Sequence, residues 1–151
     1  MATTVTTATL TVAVQETLTL NGTVYDQTVS KSISSIGNVS KRIHTIPANS
    51  SVTIATFSAT ANGINFDVDD IKYLRVTNLD DTENLIVTKG FNATSSATEL
   101  RAGCSETYFS PNGNGSTSKA SITSTDDIEA LFIHNPHGGN TVDVEVFIAT
   151  A

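Results

Sequence analysis

The sequence predicts an all-β chain, an antiparallel β-sandwich of jelly-roll type, with an immunoglobulin-like sandwich as the alternative. Three observations carry that expectation. Apolar and polar side chains alternate with a period of two over long stretches, the pattern of a half-buried strand. Thr, Val and Ile supply 25, 13 and 12 of the 151 residues, and their branched β-carbons suit a pleated surface better than a helix. Turn-forming residues recur about every 8–12 positions, the spacing of short strands in a sandwich or barrel.

The chain reads as an N-terminal arm over 1–9 and a single sandwich domain over 10–151. In Leu10–Leu20 the even positions are Leu10, Val12, Val14, Glu16, Leu18 and Leu20, against Thr11, Ala13, Gln15, Thr17 and Thr19. One face is apolar and the other rich in hydroxyls. Asn21-Gly22 follows, the dipeptide of two-residue hairpins because both positions tolerate φ > 0. Closing the hairpin there sets Leu18 opposite Tyr25, Val14 opposite Val29 and Leu10 opposite Ile33. Glu16, the one charge in the apolar stripe, then falls opposite Gln27. A one-residue slip would destroy this match; a bulge or break near Glu16 is the alternative.

Further strands are expected at Val39–Ile46, Val52–Phe57, Ile71–Asn78, Leu85–Phe91, Leu100–Phe109, Ser118–Ile122, Ala130–Asn135 and Thr141–Ala149. Pro47-Ala48-Asn49, Asp80–Asn84, Pro111–Gly115 and Pro136–Asn140 read as turns or loops, as does the small and polar stretch Gly90–Ala97. The one helical signal is the capping-box spacing of Asp126 and Glu129, good for a single turn because the apolar residues after it leave a helical face. No fixed-period repeat is present.

The net charge is −7, with eight Lys and Arg scattered singly. That excludes the clustered basic face needed to grip a nucleic-acid backbone or anionic lipid. No stretch is apolar enough to span a membrane as a helix, and no signal peptide is expected at Met1–Ala8. A single cysteine permits no intrachain disulfide, so assembly in a reducing cytoplasm is the expectation.

Reactive groups are few. His44 lies in an alternating stretch and reads as a sheet-face residue. Cys104 reads as a small packing residue within a strand. His134 and His137 stand three apart around Pro136, too few ligands for a metal and not on a helix face. Asp67–Asp70 and Asp80–Glu83 lack the spaced pattern of a calcium loop, and acidic residues in turns bond their own backbone. Nine aromatic residues, none of them Trp, do not cluster into a sugar-stacking strip. No catalytic, cofactor-binding or metal-ligating residue is expected, and the chain reads as a non-enzyme.

Four stretches, Arg42-Ile43-His44-Thr45-Ile46-Pro47, Ile71-Lys72-Tyr73-Leu74-Arg75-Val76-Thr77-Asn78-Leu79-Asp80-Asp81, Glu99-Leu100-Arg101-Ala102-Gly103 and Asp143-Val144-Glu145-Val146-Phe147-Ile148-Ala149, together resemble small β-rich virion structural proteins of marine tailed phages such as cyanophages. The resemblance implies a capsid decoration (cement) protein, made in the host cytoplasm and bound to the major capsid protein on the virion surface. It would act as a homo-oligomer, a homotrimer by preference, with neither nucleic acid nor membrane as partner. The alternatives are a tail, neck or head-fibre component, or a carbohydrate-binding sandwich module. Site residues do not come with the resemblance.

Overall fold

The computed structural model describes residues 6–58, 65–91, 94–109 and 128–151. The chain opens with a long hairpin, β1 (Ala8–Glu16) and β4 (Gln27–Ile36), tipped by the two-residue strands β2 (Thr19–Leu20) and β3 (Thr23–Val24). Then follow β5 (Asn38–Ile46), β6 (Ser50–Ser58), β7 (Phe66–Asp67), β8 (Ile71–Asn78), β9 (Leu85–Phe91), β10 (Thr94–Leu100), β11 (Ser105–Phe109), β12 (Ile128–Asn135) and β13 (Val142–Thr150). A single 3-10 turn, Val68–Asp70, links β7 to β8.

Two sheets face one another, β11-β8-β13-β5 and β10-β9-β12-β6, the latter extended by β7. Numbering β5, β6 and β8–β13 as strands one to eight, the sheets run 1-8-3-6 and 2-7-4-5, and the pairings within them are antiparallel. This is the strand order of a jelly roll, two interleaved Greek keys. Consecutive strands β5 and β6 lie in opposite sheets, whereas an immunoglobulin sandwich keeps its first two strands together.

The core follows from the period of two. In β13, Val142, Val144, Val146 and Ile148 turn inward and are buried. They meet Ile46, Leu74 and Val76 of their own sheet and Leu85, Val87, Leu131 and Ile133 of the other. Removing such a side chain from water contributes about 1.5–3 kcal/mol.

Strands Ile71–Asn78 and Leu85–Phe91 keep their expected bounds, and β5, β6, β12 and β13 differ from the expected bounds by one or two residues. One expected strand divides. Leu100–Phe109 is broken by a turn at 101–104, where Gly103 takes φ 66° and Cys104 N–H donates to Arg101 O at 3.0 Å. Residues 94–100, expected to lie mostly in a loop, form the edge strand β10; it is exposed along most of its length, so it requires little apolar patterning. The expected strand Ser118–Ile122, the loop Pro111–Gly115 and the helical turn at Ser124–Asp127 lie outside the described residues.

Candidate interaction surface

The hairpin is where this molecule departs from a closed sandwich. Asn21 and Gly22 take φ 52° and 80°, the left-handed pair of the turn type whose twist matches flanking strands. The ladder from that turn holds the expected register: Leu10 opposite Ile33, Val14 opposite Val29, Glu16 opposite Gln27, and Thr19 opposite Val24. Regular pairing lapses at Thr17–Leu18 and Tyr25–Asp26, as the alternative near Glu16 anticipated. Yet Tyr25 N–H donates to Leu18 O at 2.7 Å, so the tip stays in phase with the root.

The apolar stripe has two fates along its length. At the root, Leu10, Val12, Ile33 and Ile36 pack on Tyr73, Phe147 and Ala149, which lie on the outer face of the β8–β13 pair. Tyr73 and Phe147 meet edge to face, ring centroids 5.9 Å apart. Beyond Val12 the sandwich ends and the stripe continues into solvent. Val14, Leu18, Leu20, Tyr25 and Val29 are each 53–59% exposed. Val12, Val14, Val29, Ser30 and Lys31 line one shallow depression. Glu16, Leu18, Tyr25 and Asp26 help line a second, where the ladder lapses. Scattered exposed apolar residues are normal, but a contiguous stripe on a projecting element is unusual and makes this arm the candidate interaction surface.

The root is held rigidly. Gly37 alone joins β4 to β5, and its N–H donates to Thr150 O at 2.9 Å. A Cβ there would lie 2.8 Å from the Ala151 carbonyl carbon, so only glycine fits without a shift. Beside the root, the outer face of the sheet carries an ion cluster. Glu145 bonds Arg75 and Lys41, the latter at 2.9 Å, and these cations hold its carboxyl below the usual range, Lys41 contributing most. The Arg75 guanidinium also stacks over the Phe147 ring at 5.7 Å.

The groups singled out in the sequence are dispersed. His44 is half-buried on β5 opposite Val144, and burial, aided by Arg42, lowers its pKa. His134 Nδ1 meets Ser51 Oγ at 3.0 Å. His137 instead bridges the Glu83 carboxylate and the Asn84 carbonyl at 2.7 and 2.9 Å. Cys104 is exposed in a turn, a correction to the expectation of a packed strand residue. Both acidic runs serve as local turn formers. Asp67 caps the 3-10 turn through Asp69 N–H. Asp80 accepts from the N–H groups of Thr82 and Glu83 at 2.8 Å, bonds that lower its pKa. Among the described residues, no group of three or more His, Cys, Asp and Glu is placed to hold a metal ion. No helix among them is long and apolar enough to cross a membrane.

Two buried asparagines escaped the sequence reading, and they organise one end of the sandwich. Asn78 Nδ2 donates to Glu83 O and Leu100 O, and its Oδ1 accepts from Asp80 N–H. Asn135 Nδ2 donates to Ile46 O and Asn140 O, and its Oδ1 accepts from His137 N–H. Their signal was positional: each ends an apolar strand at a turn. At the opposite edge of the sandwich, Lys89 reaches Glu106 at 3.4 Å and covers the Tyr108 ring. Burial, with Glu106 adding to it, raises the Tyr108 pKa far above its ordinary value, so that phenol stays protonated and is no base at neutral pH.

Comparison with protein-family models, with curated proteins and with solved structures finds no match to this chain, so the fold and this projecting stripe are the ground for a functional reading.

Proposed function

We propose that the chain is a non-enzymatic structural protein of a virion, a capsid decoration protein that sits as a homo-oligomer on the outer face of the major capsid shell. The observation that carries this reading is the hairpin: a rigidly rooted arm presenting an apolar stripe outward from a jelly roll whose own core is complete. Such a shape suits assembly by burial of surface across subunit seams, with no reaction required. Each exposed Val or Leu, already nearly half covered, gains on the order of 1 kcal/mol when fully covered, before the cost of association is set against it. The hydroxyl face of the same arm, Thr11, Thr28, Ser30 and Ser32, remains compatible with water. The resemblance of four stretches to phage virion proteins supports a phage particle as the setting of this reading.

Length of the same hairpin favours a second reading, a tail or neck component in which a long hairpin completes a ring. Copy number separates the two. Quantitative mass spectrometry of purified particles should find this chain in hundreds of copies. About a dozen copies would move it to the tail or neck, and its absence from particles would overturn both readings.

A further inference from the structure

We infer that the distal half of the hairpin docks on a second copy of this chain, against the outer face and unpaired edge of β5. The inference rests on the oligomer proposed above and names which surfaces meet. Continuity is the first argument. The root of the apolar stripe already packs on the outer face of this sheet, at Tyr73, Phe147 and Ala149. Next to that contact, on the same face, Val39 lies opposite Ala149 and Ile43 opposite Glu145. Both are uncovered, 49% and 60% exposed. Hairpin and receiving patch thus share one chemistry, and the molecule has used half of each on itself.

Reach is the second argument. The hairpin leaves its own β5 uncovered: Gly37 ties the root to the start of that strand, and Val39 and Ile43 stay exposed. From Ile36 to Gly22 a ladder rising about 3.3 Å per residue carries the tip roughly 45 Å away. The uncovered stripe from Val14 to Leu20 measures about 20 Å on the same scale, comparable with the roughly 25 Å of Asn38–Ile46. The distal hairpin and β5 therefore present uncovered rows of matching length that a second copy can bring together.

Charge is the third argument. Glu16 interrupts the apolar row of the hairpin between Val14 and Leu18, and Lys41 stands between Val39 and Ile43 on the outer face of β5, exposed although it also bonds Glu145. The two rows thus carry the same apolar–charged–apolar pattern with charges of opposite sign, one residue apart on one face of each strand. Among the described strands β5 pairs only with β13, and side chains meet the groups near the two ends of the strand, Asn38 Oδ1 accepting from Val39 N–H and Asn135 Nδ2 donating to Ile46 O; its middle stays outside any second ladder. Cations on such an edge discourage indiscriminate pairing, while a strand edge of this kind accepts an added strand. Because the two surfaces differ, the contact is heterologous, and it closes into a ring when the rotation permits.

The test uses the full chain in a Cys104→Ser background carrying Tyr25→Cys and Ile43→Cys. Mild oxidation should link position 25 of one copy to position 43 of another, identified as a cross-linked peptide. Light scattering should show one closed oligomer. Leu18→Asp with Leu20→Asp should reduce the mass to that of a monomer without changing the circular dichroism, since both side chains lie outside the core, and should abolish the concentration dependence of the melting temperature that an oligomer shows. Cross-links only between two copies of position 25, an oligomer indifferent to the aspartates, or a monomeric wild type would each overturn the inference. Hundreds of copies on virions together with such a failure would leave the decoration reading standing and make the shell the occupant of the hairpin. Cross-linking as expected with no copies on virions would remove the decoration reading and keep the self-association.

Discussion

Replacing Asn135 tests whether the end of the sandwich is built as described. Its side chain is fully buried and makes three hydrogen bonds, to Ile46 O at 3.2 Å, to Asn140 O at 2.8 Å and from His137 N–H at 3.0 Å. Asn135→Leu keeps the branched shape and the number of side-chain heavy atoms, so no cavity is opened. It strands the Ile46 carbonyl of a buried residue, at about 1–3 kcal/mol for an unsatisfied group. Asn140 is exposed and His137 half-buried, so water can replace those two bonds and their loss costs about 0.5–1.5 kcal/mol each. The sum is about 4 kcal/mol, which for a chain of this size lowers the melting temperature by roughly 8–16 °C. Asn135→Asp should cost more at neutral pH, because it sets a carboxylate against two carbonyl oxygens. Its deficit should shrink in acid, where the carboxyl takes up a proton and can donate to one of them. Urea denaturation at two pH values measures both effects. A loss under about 0.5 kcal/mol for the leucine variant, or an aspartate variant insensitive to pH, would refute the argument that this residue closes the loop end.

Gly37→Ala should destabilise by about 1–3 kcal/mol, since its Cβ would press on the Ala151 backbone and force a shift; an unchanged melting curve would show that the root is loose. Gly22→Ala should act locally: φ 80° costs an L-residue about 1–2 kcal/mol, so amide exchange should quicken at the hairpin tip while the global transition stays in place. Leu131→Ala should cost about 2–5 kcal/mol by leaving a cavity at the centre of the sandwich, read by calorimetry. Glu145→Gln addresses the ion cluster. Because Lys41 and Arg75 depress the folded carboxyl below its ordinary value of 4.5, its stabilisation is present above that value and fades as pH falls through the folded one. Wild type and variant should therefore converge in stability in strong acid and separate above about pH 5; a pH-independent gap would sink the assignment.

The hairpin was legible because two independent signals agreed, alternation over eleven residues and an Asn-Gly turn, and together they dictated which residue faces which. The jelly-roll order was an expectation that periodicity alone cannot supply, since strand order depends on contacts across a hundred residues. β10 was read mostly as loop because an edge strand exposed on both faces has no alternation to show; residues 95–99 are all exposed and Leu100 is buried. The break after Leu100 had a signal in Gly103, a glycine inside an apparent strand. Asn78 and Asn135 stayed hidden because a buried amide and a solvent-facing turn amide look alike in sequence. What distinguishes them is the set of carbonyls that the fold brings to each. The uncovered half of the hairpin was equally opaque: alternation marks an apolar face without saying how far the sandwich extends beneath it.

The position of β13 has a consequence for how the molecule is made. This last strand lies between β5 and β8, pairing with residues 38–46 on one side and 71–78 on the other. At typical synthesis rates of about 5–20 residues per second, β5 waits roughly 5–20 seconds for its only described partner to be translated. During that interval the completed hairpin and an unpaired β5 coexist on the ribosome, the same two surfaces inferred to join separate copies. Folding of one chain and premature association of neighbours on a polysome thus compete for the same strand. Slow translation between residues 47 and 150 should favour tangled nascent chains, and fast translation of that stretch should favour monomers ready to assemble.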